Sequence, residues 1–209
     1  MLISDSKKFI FIHISKTAGT SVRAGLEPYS NQAPCDKLHS FLRYFDLPRD
    51  YRRFKFSKHA YLSAAQKKLP ADVYDHYLKF AVVRNTWDRL VSSYHSDYGL
   101  KSGRNPDKKY REPIEFFDYL QKQRQRRNFQ LERIINSSGQ VGLDFMLRFE
   151  NLNNDVQTLA EKLDIEIELP HRNYSFREKD SYQDYYDEQA RDYVAEHWAQ
   201  EIEILGYQF

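Results

Sequence analysis

A lysine followed by small and hydroxyl-bearing residues comes directly after the first apolar run of the chain. Residues 9–14 are almost continuously apolar and β-branched, which is typical of a strand buried on both faces of a parallel sheet. The residues that follow suit an anion socket: Lys16, Thr17, Ala18, Gly19, Thr20 and Ser21. Because helix N–H groups attract oxyanions, the order strand, tight loop, helix predicts that this Lys16 loop, residues 16–21, binds a phosphate-like group. We expect its hydroxyl residues to cap the helix.

The same residues are also compatible with a strand, a turn and a helix that bind nothing. A nucleoside-triphosphate loop of the Walker type is disfavoured, because its lysine directly follows the second of two glycines. Here Lys16 precedes Gly19, and no glycine lies upstream of the lysine.

A second cation, Arg84, ends the apolar run of residues 79–83, which predicts another buried strand. The apolar positions that follow have helical spacing, so a helix begins soon after the arginine. The arginine fork and the hydroxyl of Ser92, two turns further on, could both face one phosphate. The alternative is that Arg84 pairs with Asp88 or Glu150.

A lone histidine, His59, follows the alternating apolar and polar residues 54–58, which predict a strand with the histidine at its end. The apolar spacing of residues 62–69 predicts a short helix after it. Such a histidine is either a hydrogen-bonded structural residue or a general base. If His59 is structural, His39 or a carboxylate within residues 28–53 is the next candidate base.

Two stretches resemble the donor-binding motifs of sulfotransferases that use 3′-phosphoadenosine 5′-phosphosulfate (PAPS), most closely those of the carbohydrate type. Residues 12–21 resemble the 5′-phosphosulfate loop of that family. Residues 84–94 are similar to its 3′-phosphate motif, in which arginine comes first and serine eight positions later, as Arg84 and Ser92 do. Two motifs in the family's order are more specific than either one.

The resemblance implies a fold, a reaction and a set of site residues. The fold would be α/β, a single P-loop-like domain over residues 1–209 with a mainly parallel β-sheet flanked by helices. PAPS would be held by the Lys16 loop and by Arg84 and Ser92, leaving adenosine 3′,5′-bisphosphate as product. His59 would be the base, as in the carbohydrate 2-O-sulfotransferase pattern, and Lys16 would assist the leaving phosphate. The acceptor would be a hydroxyl of a glycan or glycolipid.

Two positions depart from the family pattern. Ser15 and Thr86 stand where the family usually has proline. Loss of the first proline costs rigidity at the loop entrance. Threonine near a helix start can cap it, so we expect both departures to be mild.

The composition favours one soluble domain. The chain has 209 residues and one cysteine, Cys35, which excludes an internal disulfide and fits a reducing compartment. No apolar run is long enough to span a membrane, and residues 1–8 are too polar for a signal peptide, so we expect a cytoplasmic protein. The histidines and the cysteine lack metal-ligand spacing, so no bound metal is expected.

The charge is distributed unevenly. Residues 150–209 carry 5 Lys and Arg against 15 Asp and Glu, while residues 1–149 carry 27 against 15, so a basic portion precedes an acidic one. A basic portion that contains the Lys16 loop suits a doubly phosphorylated nucleotide. No zinc spacing or RNA-binding signature is present, which argues against a nucleic-acid partner. The basic residues within 101–133 are either a solvated face or a rim for an acidic glycan.

The later segments predict further elements of the same fold. Residues 145–149 predict a strand, and a helix is expected from about residue 150. The apolar stripe of residues 190–205 predicts a long helix that ends at Gly206. Residues 28–53 lack a sustained period and predict a loop-rich excursion.

Two other functions remain open at the level of the sequence. A P-loop small-molecule kinase would require a magnesium-holding carboxylate and a Walker loop, neither of which is apparent. A catalytically silent nucleotide- or glycan-binding module would keep the Lys16 loop and lack a usable His59. Affinity for adenosine 3′,5′-bisphosphate against ATP separates the kinase from the others, and sulfate transfer separates the enzyme from the module.

Overall fold

The apolar segments of the sequence form neighbouring strands of one sheet. The computed structural model describes residues 1–31, 50–53, 56–98, 114–169 and 181–209. Its strands, in spatial order, are β1 (Leu2–Ser4), β2 (Phe9–Ile12), β3 (Leu78–Val83) and β4 (Phe145–Arg148). β1 is antiparallel to β2, while β2, β3 and β4 are mutually parallel. The prediction of a mainly parallel sheet flanked by helices is confirmed.

Helices follow the strands throughout the described segments. They are α1 (Gly19–Leu26), α2 (Leu62–Lys68), α3 (Ala71–His76), α4 (Thr86–Asp97), α5 (Phe116–Gln125), α6 (Leu131–Ile134), α7 (Leu152–Leu163), α8 (Glu188–His197) and α9 (Ala199–Leu205). Short 3₁₀ turns cover Glu27–Tyr29, Tyr51–Arg53, Phe149–Asn151 and Gln183–Tyr185. None of the described helices has the length and apolar character needed to cross a membrane.

The two central strands are buried on both faces, as their continuous apolar runs require. Successive side chains of a strand point to opposite faces, so each strand contributes to two cores. One face carries Ile10, Ile12, Ala81 and Val83 and packs with residues of α2, α3 and α6. The other face carries Phe9, Phe11, Phe80 and Val82 and packs with α1 and α7. Helices therefore cover both faces of the sheet.

The sheet register decides which residues meet at its edge. Ile12 pairs with Ala81, and Val83 pairs with Arg148. Because β2, β3 and β4 are parallel, their carboxyl ends lie at the same edge, where ligands bind in open α/β sheets. The Lys16 loop follows β2 at this edge, and Arg84 follows β3 there.

Three details of the sequence prediction are wrong, and one strand was not predicted. Residues 56–58 are loop and turn, and residues 54 and 55 of the expected strand lie outside the described residues. His59 consequently lies in a turn. The expected single C-terminal helix is two helices, α8 and α9, that meet at Trp198 with φ −114° and ψ 16°. The expected hydroxyl cap of α1 is the third error, described with the site. The short strand β1 has no counterpart in the sequence prediction.

The remaining element predictions are confirmed where the structure describes them. α2 ends before Pro70, α7 follows β4, and Gly206 ends α9 with a left-handed φ of 68°. Residues 32–49 of the loop-rich excursion and residues 101–113 of the basic region lie outside the described residues.

Gly25 on α1 lies against the chain that follows α7. A Cβ atom at this position would lie 2.8 Å from Cγ2 of Ile167 and 2.9 Å from the main-chain oxygen of Glu168. Helix propensity alone predicts that Gly25→Ala stabilises the protein by up to about 1 kcal/mol. Because overpacking against a backbone atom costs roughly 1–3 kcal/mol, we expect the variant to have a lower free energy of unfolding in urea. A variant more stable than the wild type would contradict this close approach.

Candidate active site

The backbone of the Lys16 loop is held in an unusual conformation. Lys16 has φ 69° and Ala18 has φ 62°, so two residues that carry a Cβ are left-handed, at a cost of about 1–2 kcal/mol each. Left-handed residues that alternate with other conformations turn successive N–H groups toward one point and make an anion-binding concavity. Such strain collects at functional sites. The conformation supports the anion socket that the sequence predicts.

The expected hydroxyl cap of α1 is wrong. The N-cap residue is Ala18, which has no side chain able to cap, and its left-handed backbone starts the helix. Thr17 is buried and donates its hydroxyl to the main-chain oxygen of Ile14 at 3.1 Å, while Thr20 is exposed. The hydroxyl of Thr17 therefore braces the loop from inside.

Arg84 joins the two predicted anion motifs. Its Nη1 donates to the main-chain oxygen of Lys16 at 3.1 Å, and its Nε donates to Oδ2 of Asp88 at 2.6 Å. The guanidinium carbon lies 3.9 Å from the centroid of the Phe149 ring. The side chain is only 3% exposed. Of the two partners that the sequence left open for Arg84, Asp88 is an observed one, and Glu150 instead accepts from the N–H of Asn85 at 2.7 Å.

Asn85, and not Thr86, caps helix α4. Its Oδ1 accepts from the N–H groups of Trp87 at 3.0 Å and Asp88 at 3.4 Å. Thr86 instead donates its hydroxyl to Glu201 at 2.9 Å. The cap aligns α4 immediately after Arg84. Ser92 lies two turns further along α4 and is 4% exposed.

His59 is attached to the strand that carries the Lys16 loop. Its Nδ1 lies 3.0 Å from the main-chain oxygen of His13. A carbonyl oxygen can only accept, so Nδ1 carries the proton and Nε2 of the neutral ring carries a lone pair. The rings of His59 and His13 are 4.8 Å apart. The turn therefore presents His59 in the tautomer that a general base requires at Nε2.

His13 was not predicted as a site residue. Its side chain is 2% exposed, and its Nδ1 has no hydrogen-bond partner among the described residues. A Cβ at Gly19 would lie 2.6 Å from Cδ2 and 2.9 Å from Nε2 of this ring. The His13 ring thus packs directly against Gly19 and lies between the Lys16 loop and His59. The sequence signal was available as a histidine at the strand end and a glycine in the loop.

Burial keeps both rings neutral. Desolvation, and then repulsion by Lys58 and by His59 in its protonated form, lower the pKa of His13 to about 3. Desolvation also lowers the pKa of His59, with contributions from Lys58 and Arg133, although its hydrogen bond to His13 acts in the opposite direction. A neutral imidazole is the form that can accept a proton.

An exposed aromatic ring with a cation above it lies beside His59. The Tyr61 side chain is 40% exposed, and the guanidinium carbon of Arg133 lies 4.0 Å from its ring centroid. Arg133 also donates from Nη1 to the main-chain oxygen of His59. We call this pair the Tyr61–Arg133 platform.

Within the described residues, no group of three or more His, Cys, Asp or Glu side chains is arranged to hold a metal ion.

The fold and the loop define a class: an α/β protein of P-loop-like architecture in which a loop with left-handed residues connects a central strand to the first helix. The model of the sulfotransferase family matches residues 1–208. The chain belongs to that family. No curated protein sequence matches it. A crystal structure of mouse sulfotransferase SULT7A1 complexed with PAP is similar over 96% of this chain and 86% of that chain, with 13% identity and a TM-score of 0.45.

The lowered pKa of His13 predicts acid sensitivity. An unfolded chain takes up this proton near pH 6.5, whereas the folded protein takes it up only near pH 3. The stability that the neutral ring contributes is therefore complete above about pH 6.5 and is lost as the pH falls toward 3. His13→Gln should make the fall in unfolding free energy over this window shallower, as measured by urea titrations at several pH values. An unchanged slope would show that the buried ring does not resist protonation.

Proposed function

We propose that this protein transfers the sulfuryl group of PAPS to a hydroxyl group of a carbohydrate acceptor. The observation that carries the proposal is the hydrogen bond between Arg84 and the main-chain oxygen of Lys16, because it joins the two motifs that would bind the two phosphate groups of one nucleotide. Membership of the sulfotransferase family supports the same class of reaction.

The residues at the sheet edge fit such a donor. The left-handed backbone at Lys16 and Ala18 and the N-terminus of α1 suit the 5′-phosphosulfate. Arg84 and Ser92 would hold the 3′-phosphate. Asp88 and the carbonyl of Lys16 fix the guanidinium, so it meets a phosphate in a defined orientation. The full proposed donor set is Lys16, Thr17, Ala18, Gly19, Thr20, Ser21, Arg84 and Ser92.

Two residues would carry the chemistry. PAPS supplies a sulfuryl group on a phosphate that leaves readily. Nε2 of His59 would take the proton of the acceptor hydroxyl. At the same time the hydroxyl oxygen would bond to sulfur, and the bond from sulfur to the bridging phosphate oxygen would break. The Lys16 ammonium and the N–H groups of its loop stabilise the charge that grows on that phosphate. Positioning and electrostatics would supply most of the rate, as in phosphoryl transfer.

The Tyr61–Arg133 platform favours a carbohydrate acceptor. An exposed aromatic face can cover the apolar face of a sugar ring, and a guanidinium beside it can pair with a carboxylate or sulfate of that sugar. Because Arg133 also bonds the main chain of His59, a sugar on the platform would lie next to the base.

The donor assignment is tested by binding, before any acceptor is known. Adenosine 3′,5′-bisphosphate should bind more tightly than ATP or adenosine 5′-phosphate in isothermal titration, and a chelator should leave its affinity unchanged. Transfer of labelled sulfate from PAPS to a panel of neutral and acidic glycans then tests the reaction. Equal affinity for the three nucleotides would refute the donor site, and donor binding without transfer to any hydroxyl compound would favour a binding module.

Lys16→Ala should lower kcat more than donor affinity. The charge on the leaving phosphate grows in the transition state, so the lysine contributes more there than in the ground state. Alanine retains the same steric limits on the left-handed backbone, which separates charge from conformation. Lys67→Ala, an exposed lysine of α2, is the matched control. An effect confined to KM would refute the catalytic role of Lys16.

His59→Ala should lower the rate by about 10²- to 10⁴-fold and leave adenosine 3′,5′-bisphosphate binding intact. Because its pKa is lowered, kcat/KM of the wild type should rise with pH through an ionisation below about 6.5 and then level off. His76→Ala on the exposed side of α3 is the control and should retain activity. Near-normal turnover by a folded His59→Ala variant would place the base elsewhere.

A further inference from the structure

The end of β3, where Arg84 lies, is held by a buried polar network outside the proposed donor site. Gln130 is fully buried, and Glu201 on α9 is 1% exposed. Neither residue was singled out by the sequence. We infer that Gln130 and Glu201 are positioning residues for Arg84 and thereby set the preference for a 3′-phosphorylated donor. This inference rests on the proposed function.

The side-chain amide of Gln130 makes the hydrogen bonds that a neighbouring strand would make, one residue beyond the end of the ladder. The ladder between β3 and β4 reaches Val83 paired with Arg148. One residue later, the N–H of Arg84 donates to Oε1 of Gln130 at 3.0 Å, and Nε2 of Gln130 donates to the main-chain oxygen of Arg84 at 2.8 Å. A single amide thus satisfies both main-chain groups of Arg84. This pairing fixes the direction in which the Arg84 side chain leaves the backbone.

Glu201 holds Gln130 in place. Its carboxylate accepts from the N–H groups of Gln130 at 2.5 Å and Leu131 at 3.2 Å, and from Nε2 of Gln130 at 3.1 Å. It also accepts the hydroxyl of Thr86, and Nη2 of the buried Arg89 lies 3.9 Å away. A buried carboxylate with this many donors is oriented in one way, so α9 determines where the Gln130 amide lies.

The geometry links the network to selectivity as well as to stability. The main chain of Arg84 is fixed by Gln130, and its guanidinium is fixed by Asp88 and by the carbonyl of Lys16. If Gln130 no longer holds the main chain, the guanidinium can shift relative to the Lys16 loop. A misplaced arginine weakens the contact to a phosphate on that side more than the contact of the Lys16 loop to the 5′ group. The affinity for adenosine 3′,5′-bisphosphate divided by the affinity for adenosine 5′-phosphate therefore reports how well Arg84 is positioned.

The experiment measures this ratio in the full chain. Affinities for adenosine 3′,5′-bisphosphate and adenosine 5′-phosphate are determined by titration calorimetry, well below the melting temperature of each variant. Gln130→Met, which has similar volume and no amide, should lower the ratio about tenfold, the change expected for losing oriented buried hydrogen bonds. Gln123→Met is the matched control, since this second buried glutamine accepts from Asn128 at 2.9 Å. It should lose stability and keep the wild-type ratio.

Gln130→Asn is the second variant should Gln130→Met fail to fold. It keeps a buried amide that is one methylene too short to reach both main-chain groups of Arg84, so the ratio should again fall. Glu201→Gln replaces one acceptor oxygen with an amide nitrogen, so either the N–H groups of residues 130 and 131 or Nε2 of Gln130 loses its acceptor, and the ratio should fall as well. Combined with Gln130→Asn, it should lower the ratio by less than the two separate effects multiplied, because Glu201 acts on Arg84 through Gln130.

The possible results separate this inference from the proposed function. A wild-type protein that binds both nucleotides equally would refute the donor site itself. A wild-type protein that prefers the bisphosphate, with folded Gln130 variants that keep the full preference, would overturn the positioning role and leave the donor site intact. Multiplicative effects of the two substitutions would overturn the action of Glu201 through Gln130.

Discussion

The hydrogen bond from Arg84 to the main-chain oxygen of Lys16 is the constraint on which the site depends. It is possible because β2 and β3 are adjacent and parallel, with Ile12 opposite Ala81, so that the segments after both strands start from the same edge. The bond also acts on a strained residue, since Lys16 is left-handed. A charged donor bound to this carbonyl helps to hold a conformation that the isolated loop would rarely adopt.

The second constraint is steric and involves His13. Its ring fills the space over Gly19, where any Cβ would collide with it, and its main-chain oxygen accepts from His59. One residue therefore separates the loop from the turn and orients the turn. Burial lowers the pKa of this ring, so the ring stays neutral at neutral pH. Glycine in the loop is thus explained by close packing and not by its own backbone angles.

The sequence predicted those parts of the fold that depend on hydrophobic periodicity. Strands β2, β3 and β4 and helices α2, α4 and α7 follow from apolar runs and spacing, because these patterns report burial directly. The strand expected at residues 54–58 is absent from its described part because the pattern reports burial and not strand pairing. Phe56 packs against the core, as its apolar character predicts, but it does so from a loop.

Features that depend on pairing between distant segments could not be predicted. Gln130 and Glu201 are 71 residues apart in the sequence, and no local pattern relates either residue to Arg84. The break at Trp198 belongs to the same group: the tryptophan is 1% exposed, and α9 begins after it with the direction that carries Glu201 to Gln130. An apolar stripe continues across such a break, so periodicity does not reveal it.

The cations around His59 connect this proposed base with the proposed acceptor. Lys58 and Arg133 contribute to the lowered pKa of His59, and Arg133 also forms the platform with Tyr61. An anionic sugar paired with Arg133 would offset part of this positive charge and raise the pKa of His59. His59 would then be neutral in the free protein and would have a higher pKa in the complex with the acceptor. A neutral sugar would leave the charge of Arg133 in place, so the same arginine would distinguish acidic from neutral acceptors both by affinity and by the strength of the base.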